Sequence, residues 1–539
     1  MVKTYAANAL WVASCLPEWR RFQRAAENVE EAQTTLLLRY LNNNKRTEYG
    51  EHHHFSAIKS PRQYQECVPL TTYDDYIEYI KRIGEGEDSV LTAEPVRMFE
   101  LSSGSTAASK LIPYTDTLKS EFQRGIAPWI YDLYTNVPDL QHGPAYWSVT
   151  PLVNGKHFTG AGIPIGFESD SAYLGLFGKW LVDSVMAVPN AVKDIADMDS
   201  FRYVTLLYLL RQPNLRLISV WNPTYLSLLI APLCDWWDCL LDDIAHGTIS
   251  KAEVDLRFVP KPKLARALKA FSPTDTESLW RNLRLISCWT DGVSGTYARQ
   301  LQEKFPHASL QGKGLLATEA IVSVPIVGVE GSVLSINSHF FEFIDDMGKV
   351  HLAHQIKKGK TYSVAITTGG GLYRYQLHDV IEVVGQWEQI PCIRFVGKAD
   401  HISDWFGEKL EERFAARVLE DVFARHNISP SFAMLAPDDQ NGFRYVLCLE
   451  SDVYLAQLGT ELDSALRENF HYDYCRKLGQ LESIQVVYVM RGSETYLKAC
   501  QARGRKLGNI KPSVLQKTLG WQDWFEPFTQ PSAREGEQL

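Results

Sequence analysis

A hydroxyl-rich segment with a glycine and a closing lysine is the first stretch of the chain that could do chemistry. Residues 101–110 read Leu-Ser-Ser-Gly-Ser-Thr-Ala-Ala-Ser-Lys and follow a strand-like run at 96–99. Backbone N–H groups, hydroxyls and the Lys110 ammonium suit the binding of phosphate oxygens. An ordinary turn fits the same composition, and the P-loop pattern GxxxxGK[ST] occurs nowhere in the chain.

The second such stretch places a carboxylate beside hydroxyl and glycine residues at the start of an apolar run. Residues 311–320 read Gln-Gly-Lys-Gly-Leu-Leu-Ala-Thr-Glu-Ala and lead into Ile-Val-Ser-Val-Pro at 321–325. Glu319 is suited to hold a Mg²⁺ ion that bridges triphosphate oxygens, because Mg²⁺ prefers hard oxygen ligands. Taken alone, a glutamate at a strand edge is more often a solvated surface residue than a metal ligand.

Two further stretches complete the set. Residues 367–379 read Thr-Thr-Gly-Gly-Gly-Leu-Tyr-Arg-Tyr-Gln-Leu-His-Asp, in which the glycines permit close backbone approach to a ligand. Asp379 is placed to accept hydrogen bonds from ribose hydroxyls. Residues 395–409 contain Gly397, Lys398 and Asp400. The predicted helices and strands become shorter after this stretch, which indicates a domain boundary, and a hinge is expected at such a boundary.

The elements that must position these stretches follow from hydrophobic periodicity. The first fifty residues predict helices, with Val29, Leu36 and Tyr40 on one face. Residues 99–395 mix short β-rich runs with long helical stretches, which indicates an α/β fold. After residue 397 the elements shorten, and alternation at 443–449 and 484–490 predicts a small α+β domain. We therefore predict two domains, 1–397 and 398–539.

Composition excludes several classes of function. The 539 residues carry 55 Lys+Arg against 64 Asp+Glu, and no long basic run offers a surface for nucleic acid. Nine cysteines are scattered without a CxxC pair, which favours a reducing, cytoplasmic compartment and argues against a zinc site. The most apolar later stretch, 225–241, contains a proline and two aspartates, so no membrane span is expected.

Taken in order, the four stretches resemble the adenylate-forming superfamily and, within it, the Gretchen Hagen family of acyl acid amido synthetases. The resemblance covers nearly the whole chain, and the third motif has the form of many bacterial members. The residues that match the nucleotide-binding motifs of that family are Ser102, Ser103, Gly104, Ser105, Thr106, Lys110, Ala317, Thr318, Glu319, Tyr373, Arg374 and Asp379. The hinge pattern matches Gly397, Lys398, Asp400, Gly407, Glu408, Lys409 and Glu412.

The resemblance implies a large ATP- and acyl-acid-binding domain of mixed sheets and helices, followed by a smaller mobile α+β domain. It implies a ligase that uses ATP and Mg²⁺ to turn a carboxylic acid into an acyl-adenylate and then passes the acyl group to an amine, such as an amino acid. Glu319 is then a catalytic, Mg²⁺-binding residue. Lys511, in Gly508-Asn-Ile-Lys-Pro512, matches the catalytic lysine more loosely, and an exposed structural lysine fits as well. A monomer or weak oligomer is expected.

Three departures from the family pattern leave alternatives open. Ala107-Ala108 replaces a loop glycine, Lys398 replaces an arginine, and His378 stands where glycine precedes Asp379. The imidazole of His378 is expected to crowd the nucleotide or change its contacts. An acyl-CoA ligase, a nucleotide-binding protein without turnover and an interaction protein are the alternatives. The aromatic residues expected near the acyl pocket, which fit a packed core as well, are Trp147, Phe158, Phe167, Tyr173 and Trp221.

Overall fold

The chain divides into two compact units in the computed structural model, Met1–Val396 and Gly397–Leu539. The structure describes residues 2–102, 110–148, 157–166, 184–195, 197–252, 256, 258–292, 294–398, 402–440, 442–503, 505 and 510–525. The predicted phosphate-loop residues Ser103 to Thr106 and the hinge residue Asp400 therefore lie outside the described residues, as do Phe167, Tyr173 and Gly508. The distinct roles predicted for the two domains stay a prediction.

The first unit alternates helices with short strands in the manner of an α/β fold. Its helices are α1 (Val2–Ala25), α2 (Val29–Asn44), α3 (Glu48–His52), α4 (Pro61–Cys67), α5 (Ile77–Gly84), α6 (Asp116–Asn136), α7 (Met198–Leu210), α8 (Pro223–Ile230), α9 (Leu233–His246), α10 (Pro262–Leu268), α11 (Thr276–Leu279) and α12 (Ser294–Lys304). Its strands are β1 (Met98–Ser102), β2 (Lys110–Tyr114), β3 (Ala145–Trp147), β4 (His157–Phe158), β5 (Pro164–Ile165), β6 (Leu217–Ser219), β7 (Leu285–Cys288), β8 (Ser309–Gly312), β9 (Ser323–Val324), β10 (Ser332–Leu334), β11 (Phe340–Ile344), β12 (Val350–Leu352), β13 (Thr361–Thr367), β14 (Tyr375–Trp387) and β15 (Ile390–Lys398), the last of which runs into the second unit.

Three sheets organise these strands. The largest has the order β12-β11-β13-β14-β15-β10-β9. A second, β3-β6-β7-β8, pairs its strands in parallel throughout. The third, β2-β1-β5-β4, places Ser102 directly opposite Lys110 in an antiparallel pair. The two ends of the predicted phosphate loop therefore leave one sheet side by side.

Burial explains why these segments fold as they do. Helix α2 begins at an Asn28 cap, whose side chain accepts a hydrogen bond from the backbone N–H of Glu31, and it buries Leu36, Leu37 and Tyr40 as the periodicity predicts. Strands β6 and β7 are buried along their whole length, as strands of parallel sheets are. The hydrophobic core of the unit forms two clusters, one around the largest sheet and one around α7 to α12 and the parallel sheet.

The second unit is a small α+β domain. Its strands are β16 (Ile402–Ser403), β17 (Leu410–Glu411), β18 (Phe432–Asp438), β19 (Arg444–Glu450) and β20 (Gln485–Tyr488), and its helices are α13 (Glu412–Arg425), α14 (Leu458–Leu466), α15 (Phe470–Lys477) and α16 (Gly492–Ala502). Strand β19 pairs antiparallel with β18 and parallel with β20. Within the described residues, no helix of either unit has the length and apolar character that a bilayer crossing requires.

Candidate active site

A hydrogen bond joins the first two predicted motifs in the first unit. The Ser102 hydroxyl, at the end of β1, donates to Glu319 Oε1 at 3.2 Å. Glu319 is buried, with 7% of its surface exposed, and it lies 217 positions further along the chain. A buried carboxylate beside a hydroxyl and a phosphate-loop flank offers the hard oxygen ligand that Mg²⁺ requires, with triphosphate oxygens and water able to complete the shell.

A tight chain reversal presents Glu319. Leu316 and Ile321 form an antiparallel bridge, and the backbone N–H of Ala317 donates to the carbonyl of Ala320 at 2.9 Å, so Thr318 and Glu319 lie at the tip of the turn. The Tyr114 hydroxyl donates to the Thr318 carbonyl at 2.5 Å. The turn is therefore held from the strand that begins at Lys110.

Lys110, at the other end of the phosphate loop, lies against an aromatic ring. Its Nζ is 5.4 Å from the centroid of the Tyr73 ring, a cation–π distance. The Tyr73 hydroxyl accepts a hydrogen bond from the backbone N–H of Leu111 at 2.8 Å. Burial raises the pKa of Tyr73, and the charge of Glu319 raises it further. Tyr73, Lys110 and Glu319 thus belong to one neighbourhood.

A bulge in β14 presents Asp379. Opposite β13, residue Ser363 pairs with Val380 and Ala365 with Gln376, so β14 carries two extra residues at this point. His378 within the bulge has a φ of 59°, the left-handed region that glycine adopts without strain and that costs another residue about 1 kcal/mol. The backbone at His378 thus has a conformation that favours glycine, the residue that the family pattern has before this aspartate, and the imidazole is half-buried.

The charges of Asp379 and Glu319 act on the same buried phenol, that of Tyr375. Burial raises the pKa of Tyr375 well above its usual range, and the charges of Glu319 and Asp379 both add to that shift. Asp379 itself is buried, with 3% of its surface exposed. One carboxylate of the second motif and one of the third therefore both act on the Tyr375 phenol.

Tyr373 and Arg374 are held by the protein core. The Tyr373 hydroxyl donates to the Leu91 carbonyl at 2.8 Å. Arg374 is 4% exposed, and its guanidinium donates to Glu342 Oε2 at 2.9 Å and to the Val68 carbonyl at 2.6 Å. These contacts make both residues supports of the loop that leads into β14, and their predicted contact with a nucleotide stays a prediction.

The backbone of the glycine run at 369–371 packs closely against helix α6. A Cβ on Gly369 would lie 2.2 Å from the Thr117 side chain and 2.5 Å from Glu121 Oε1. A Cβ on Gly371, whose φ is 94°, would meet Leu91. The sequence predicted close approach to a ligand, whereas the described contacts of these glycines are with α6 and its neighbourhood.

A buried glutamate and histidine connect this glycine run to the Glu319 turn. Glu121, fully buried on α6, accepts the backbone N–H of Gly369 at 3.0 Å and faces His339 Nδ1 at 3.1 Å. The backbone N–H of Ile321 donates to His339 Nε2 at 3.1 Å. Since Nε2 is an acceptor, Nδ1 carries the proton and donates to Glu121. The Glu121–His339 pair therefore connects the glycine run and the Glu319 turn to helix α6.

We expect His339→Leu to lower the free energy of unfolding by about 3 kcal/mol, because the Ile321 N–H and the Glu121 carboxylate each lose a buried partner. Urea unfolding followed by tryptophan fluorescence measures the change. His351→Leu is the matched control, since His351 pairs with Asp345 near the surface and its loss should cost under about 1 kcal/mol. Equal losses of stability in the two variants would contradict a stabilising role for the buried hydrogen bonds of His339.

Lys313, in the second motif, occupies an aromatic cage. Its Nζ lies 5.2 Å from the Trp129 ring, 5.6 Å from the Trp147 ring and 5.2 Å from the Trp221 ring. It donates to the Ser219 hydroxyl at 2.6 Å and is 4% exposed. Burial lowers the pKa of Lys313 to about 7.

The lowered pKa of Lys313 predicts a pH-dependent cost to stability. Between about pH 7 and pH 10 the unfolded chain holds a proton that folded Lys313 has lost, so this group makes the protein more stable as the pH rises. Cys288, the titratable neighbour, stays a neutral thiol because burial raises its pKa to about 12. We expect Lys313→Met to stabilise the protein by about 2 kcal/mol at pH 6 and by less at pH 9 in urea unfolding. A gain that is absent at pH 6, or that grows with pH, would contradict this.

The second unit holds the predicted hinge loop and Lys511. Glu408 is buried and accepts the Tyr445 hydroxyl and the backbone N–H of Phe406, which closes the loop at 403–408. Lys511 is exposed, and its carbonyl accepts the Tyr496 hydroxyl at 3.0 Å. The segment after Lys511 is anchored by Glu412, which accepts the Ser513 hydroxyl and the Val514 N–H.

Comparison with protein families assigns almost the whole chain. Residues 18–310 match the GH3 family N-terminal domain, residues 332–398 the GH3 family central domain and residues 415–519 the GH3 family C-terminal domain. The chain belongs to the GH3 family. The resemblance found in the motifs is therefore confirmed.

Relatives of known name agree with this assignment. The chain is 24% identical to an indole-3-acetic acid-amido synthetase of Arabidopsis thaliana, GH3.2, over 74% of this chain and 79% of that protein. It is 24% identical to the jasmonoyl–L-amino acid synthetase JAR6 of Nicotiana attenuata, over 70% and 71% respectively. The fold matches a solved structure of the AtGH3.15 acyl acid amido synthetase in complex with 2,4-DB, with a TM-score of 0.82, 20% identity and 95% coverage of both chains. The predicted α/β fold class is confirmed, and the relatives' names agree with the predicted ligase class.

Several residues of this site had no role in the sequence prediction. Glu121 and His339 carry no local signal, because the two residues lie 218 positions apart and meet only in the fold. Tyr375 lies inside the predicted third motif without an assigned role. Lys313 lies in the second motif without an assigned role. Its glycine neighbours at 312 and 314 were the signal in the sequence that the chain is tightly packed there.

Proposed function

We propose that this protein is an ATP-dependent acyl acid amido synthetase, which activates a carboxylic acid as an acyl-adenylate and joins the acyl group to an amine, such as an amino acid. The observation that carries the proposal is the hydrogen bond between Ser102 and Glu319, because it brings the phosphate-loop flank and the candidate Mg²⁺ ligand together. Membership of the GH3 family and the names of the relatives support it.

In the first half-reaction, a carboxylate oxygen of the acid attacks the α-phosphorus of ATP, and pyrophosphate leaves. Two anions must approach each other, so the main requirement is positive charge and correct placement. Ser102, Lys110 and the intervening loop are assigned to the phosphates, Asp379 to the ribose and Glu319 to Mg²⁺. When bound, Mg²⁺ would neutralise phosphate charge.

In the second half-reaction, the nitrogen of a neutral amine attacks the acyl carbonyl carbon, the bond to AMP breaks, and the proton released by the amine passes to solvent. Lys511 is assigned to the adenylation step, where its ammonium would offset charge on the reacting phosphate. Movement of the small domain about Lys398 and its neighbours would then separate the two half-reactions, as a hinge does.

Acid-dependent ATP–pyrophosphate exchange tests this function. The protein is incubated with ATP, Mg²⁺, labelled pyrophosphate and pools of aryl and alkyl carboxylic acids, and pooled amino acids are then added for mass spectrometry. Exchange that requires an acid, followed by an amide product, supports the proposal. A coenzyme A thioester in place of an amide would identify an acyl-CoA ligase, and ATP binding without exchange would identify a nucleotide-binding protein without turnover.

A further inference from the structure

A row of side chains crosses the parallel sheet at the carboxyl ends of its strands. Trp147 on β3, Ser219 on β6, Ser287 on β7 and Gln311 on β8 are register partners from strand to strand. Partners in register on neighbouring strands point to the same face of a sheet. In open α/β sheets, the carboxyl edge of parallel strands is where ligands bind.

Helix α6 covers this face, and Lys313 reaches across it. Trp129 of α6 donates from Nε1 to Gln311 Oε1 at 3.1 Å, and its ring lies 5.8 Å from that of Trp147. The Lys313 ammonium lies against both rings and against Trp221. Three indole rings therefore surround one buried amine.

The donors in this row outnumber the acceptors. Lys313 carries several N–H donors, and among the described residues Ser219 Oγ is its recorded hydrogen-bond partner. Trp147 Nε1 and Ser287 Oγ are buried, and no described atom makes a hydrogen bond with either. Gln311 Oε1 already accepts from Trp129. Buried donors normally find acceptors, so the row lacks an acceptor group that a ligand would bring.

The chain leads directly from this row to the candidate catalytic carboxylate. Lys313 precedes Glu319 by six residues, a span of at most about 20 Å. Leu315 and Ser323 connect the two arms of the loop, since the Leu315 N–H donates to Ser323 Oγ at 3.0 Å. Lys313 lies at the base of this loop and Glu319 at its tip. An elongated acid with its reacting carboxylate at the tip would extend its other end toward the base.

We propose that Lys313, with Ser287 and Trp147, binds a hydrogen-bond-accepting or anionic group at the distal end of the acyl acid, so that the enzyme selects acids that carry such a group. The proposal rests on the proposed function and adds to it the substrate class. The indole rings of Trp129, Trp147 and Trp221 form the walls, which suit a flat or aromatic body between the two ends of the acid.

The titration of Lys313 agrees with this geometry. With the pKa near 7 in the unliganded protein, the amine is easily deprotonated, and an anionic group beside it favours the charged form. Cys288 is the titratable group of the described residues that acts on Lys313, and it stays neutral. Selectivity for a distal carboxylate should therefore weaken as the pH rises from 7 to 9.

The test compares acids that differ only at the distal end, such as 3-phenylpropanoate with 3-(4-carboxyphenyl)propanoate and heptanoate with heptanedioate. In wild type, kcat/KM for acid-dependent pyrophosphate exchange should be at least about tenfold higher for the acid with the second carboxylate. Lys313→Met should abolish that preference and leave the KM for ATP unchanged. Lys313→Arg should keep part of it, and Lys358→Met, at an exposed lysine, should change nothing.

The failure of this proposal and the failure of the proposed function give different results. Exchange with equal or lower kcat/KM for the distally substituted acids, or a preference unchanged in Lys313→Met, would overturn the distal-group site while leaving the function intact. Absence of exchange with every acid contradicts the function. Binding of the same acid pairs, read from the fluorescence of the tryptophans around Lys313, then decides the site: preference for the second carboxylate in wild type and not in Lys313→Met upholds it, and equal binding overturns it.

Discussion

Glu319→Ala should lower acid-dependent ATP–pyrophosphate exchange by at least about 100-fold, because it removes the carboxylate that we assign to Mg²⁺. Its neighbour Ser102 would lose the acceptor of its hydrogen bond, but one such bond contributes only about 1 kcal/mol, so the fold should persist. The exchange rate at saturating ATP and acid measures the effect.

Glu330→Ala is the matched control for that experiment. Glu330 forms an exposed ion pair with Arg394, and its removal should leave the exchange rate unchanged. Glu319→Gln keeps the shape of the side chain and should be nearly as inactive as Glu319→Ala, since the charge is what the metal needs. Exchange above about half the wild-type rate in either Glu319 variant would remove this residue from the site.

The second large effect is expected on stability. Arg374→Met should lower the free energy of unfolding by about 3–5 kcal/mol, because it leaves the Glu342 carboxylate buried without its cation. Among the residues that the structure describes, Glu342 would then keep the hydrogen bond that Gln65 donates at 2.8 Å as its remaining side-chain partner. The midpoint and slope of urea unfolding give the change.

A double variant separates a lost ion pair from lost packing. Arg374→Met combined with Glu342→Met removes both charges, and it should recover much of the stability that the single substitution loses. Arg394→Met is the control at an exposed pair and should cost under about 1 kcal/mol. A single Arg374 variant that loses less than about 1 kcal/mol would show that the pair does not support the loop before β14.

The sequence predicted helices and strands correctly where hydrophobic residues recur at helical spacing or alternate as in a strand. The face of α2 and strands β19 and β20 are found where alternation or helical spacing placed them. The apolar run at 321–325, which was expected to form a strand with Glu319 at its edge, gives a shorter strand in the structure, where β9 covers only Ser323–Val324. Tertiary hydrogen bonds explain that difference: Ile321 N–H donates to a histidine ring and Val327 N–H to Asp132 Oδ2, so neither joins a sheet ladder there.

The candidate site was only partly accessible to sequence reasoning. Short motifs singled out Ser102 and Glu319, because phosphate and metal chemistry restrict the residue types that can serve. The structure brings the two side chains together, and their roles toward phosphate and Mg²⁺ stay predictions. Arg374 was read as a nucleotide contact from its place in a motif, whereas its guanidinium is held among buried groups that no local pattern reveals. The role of Glu121 could not be predicted, since its partners Gly369 and His339 lie more than 200 positions further along the chain.

The most direct test of the account is product analysis with a single acid and a single amino acid. The protein, ATP and Mg²⁺ are incubated with both, and the amide, AMP and pyrophosphate are quantified together. The account predicts one AMP and one pyrophosphate for each amide formed, with AMP formation dependent on the acid. ADP with phosphate in place of AMP, or AMP release that is independent of any acid, would contradict acyl-adenylate chemistry.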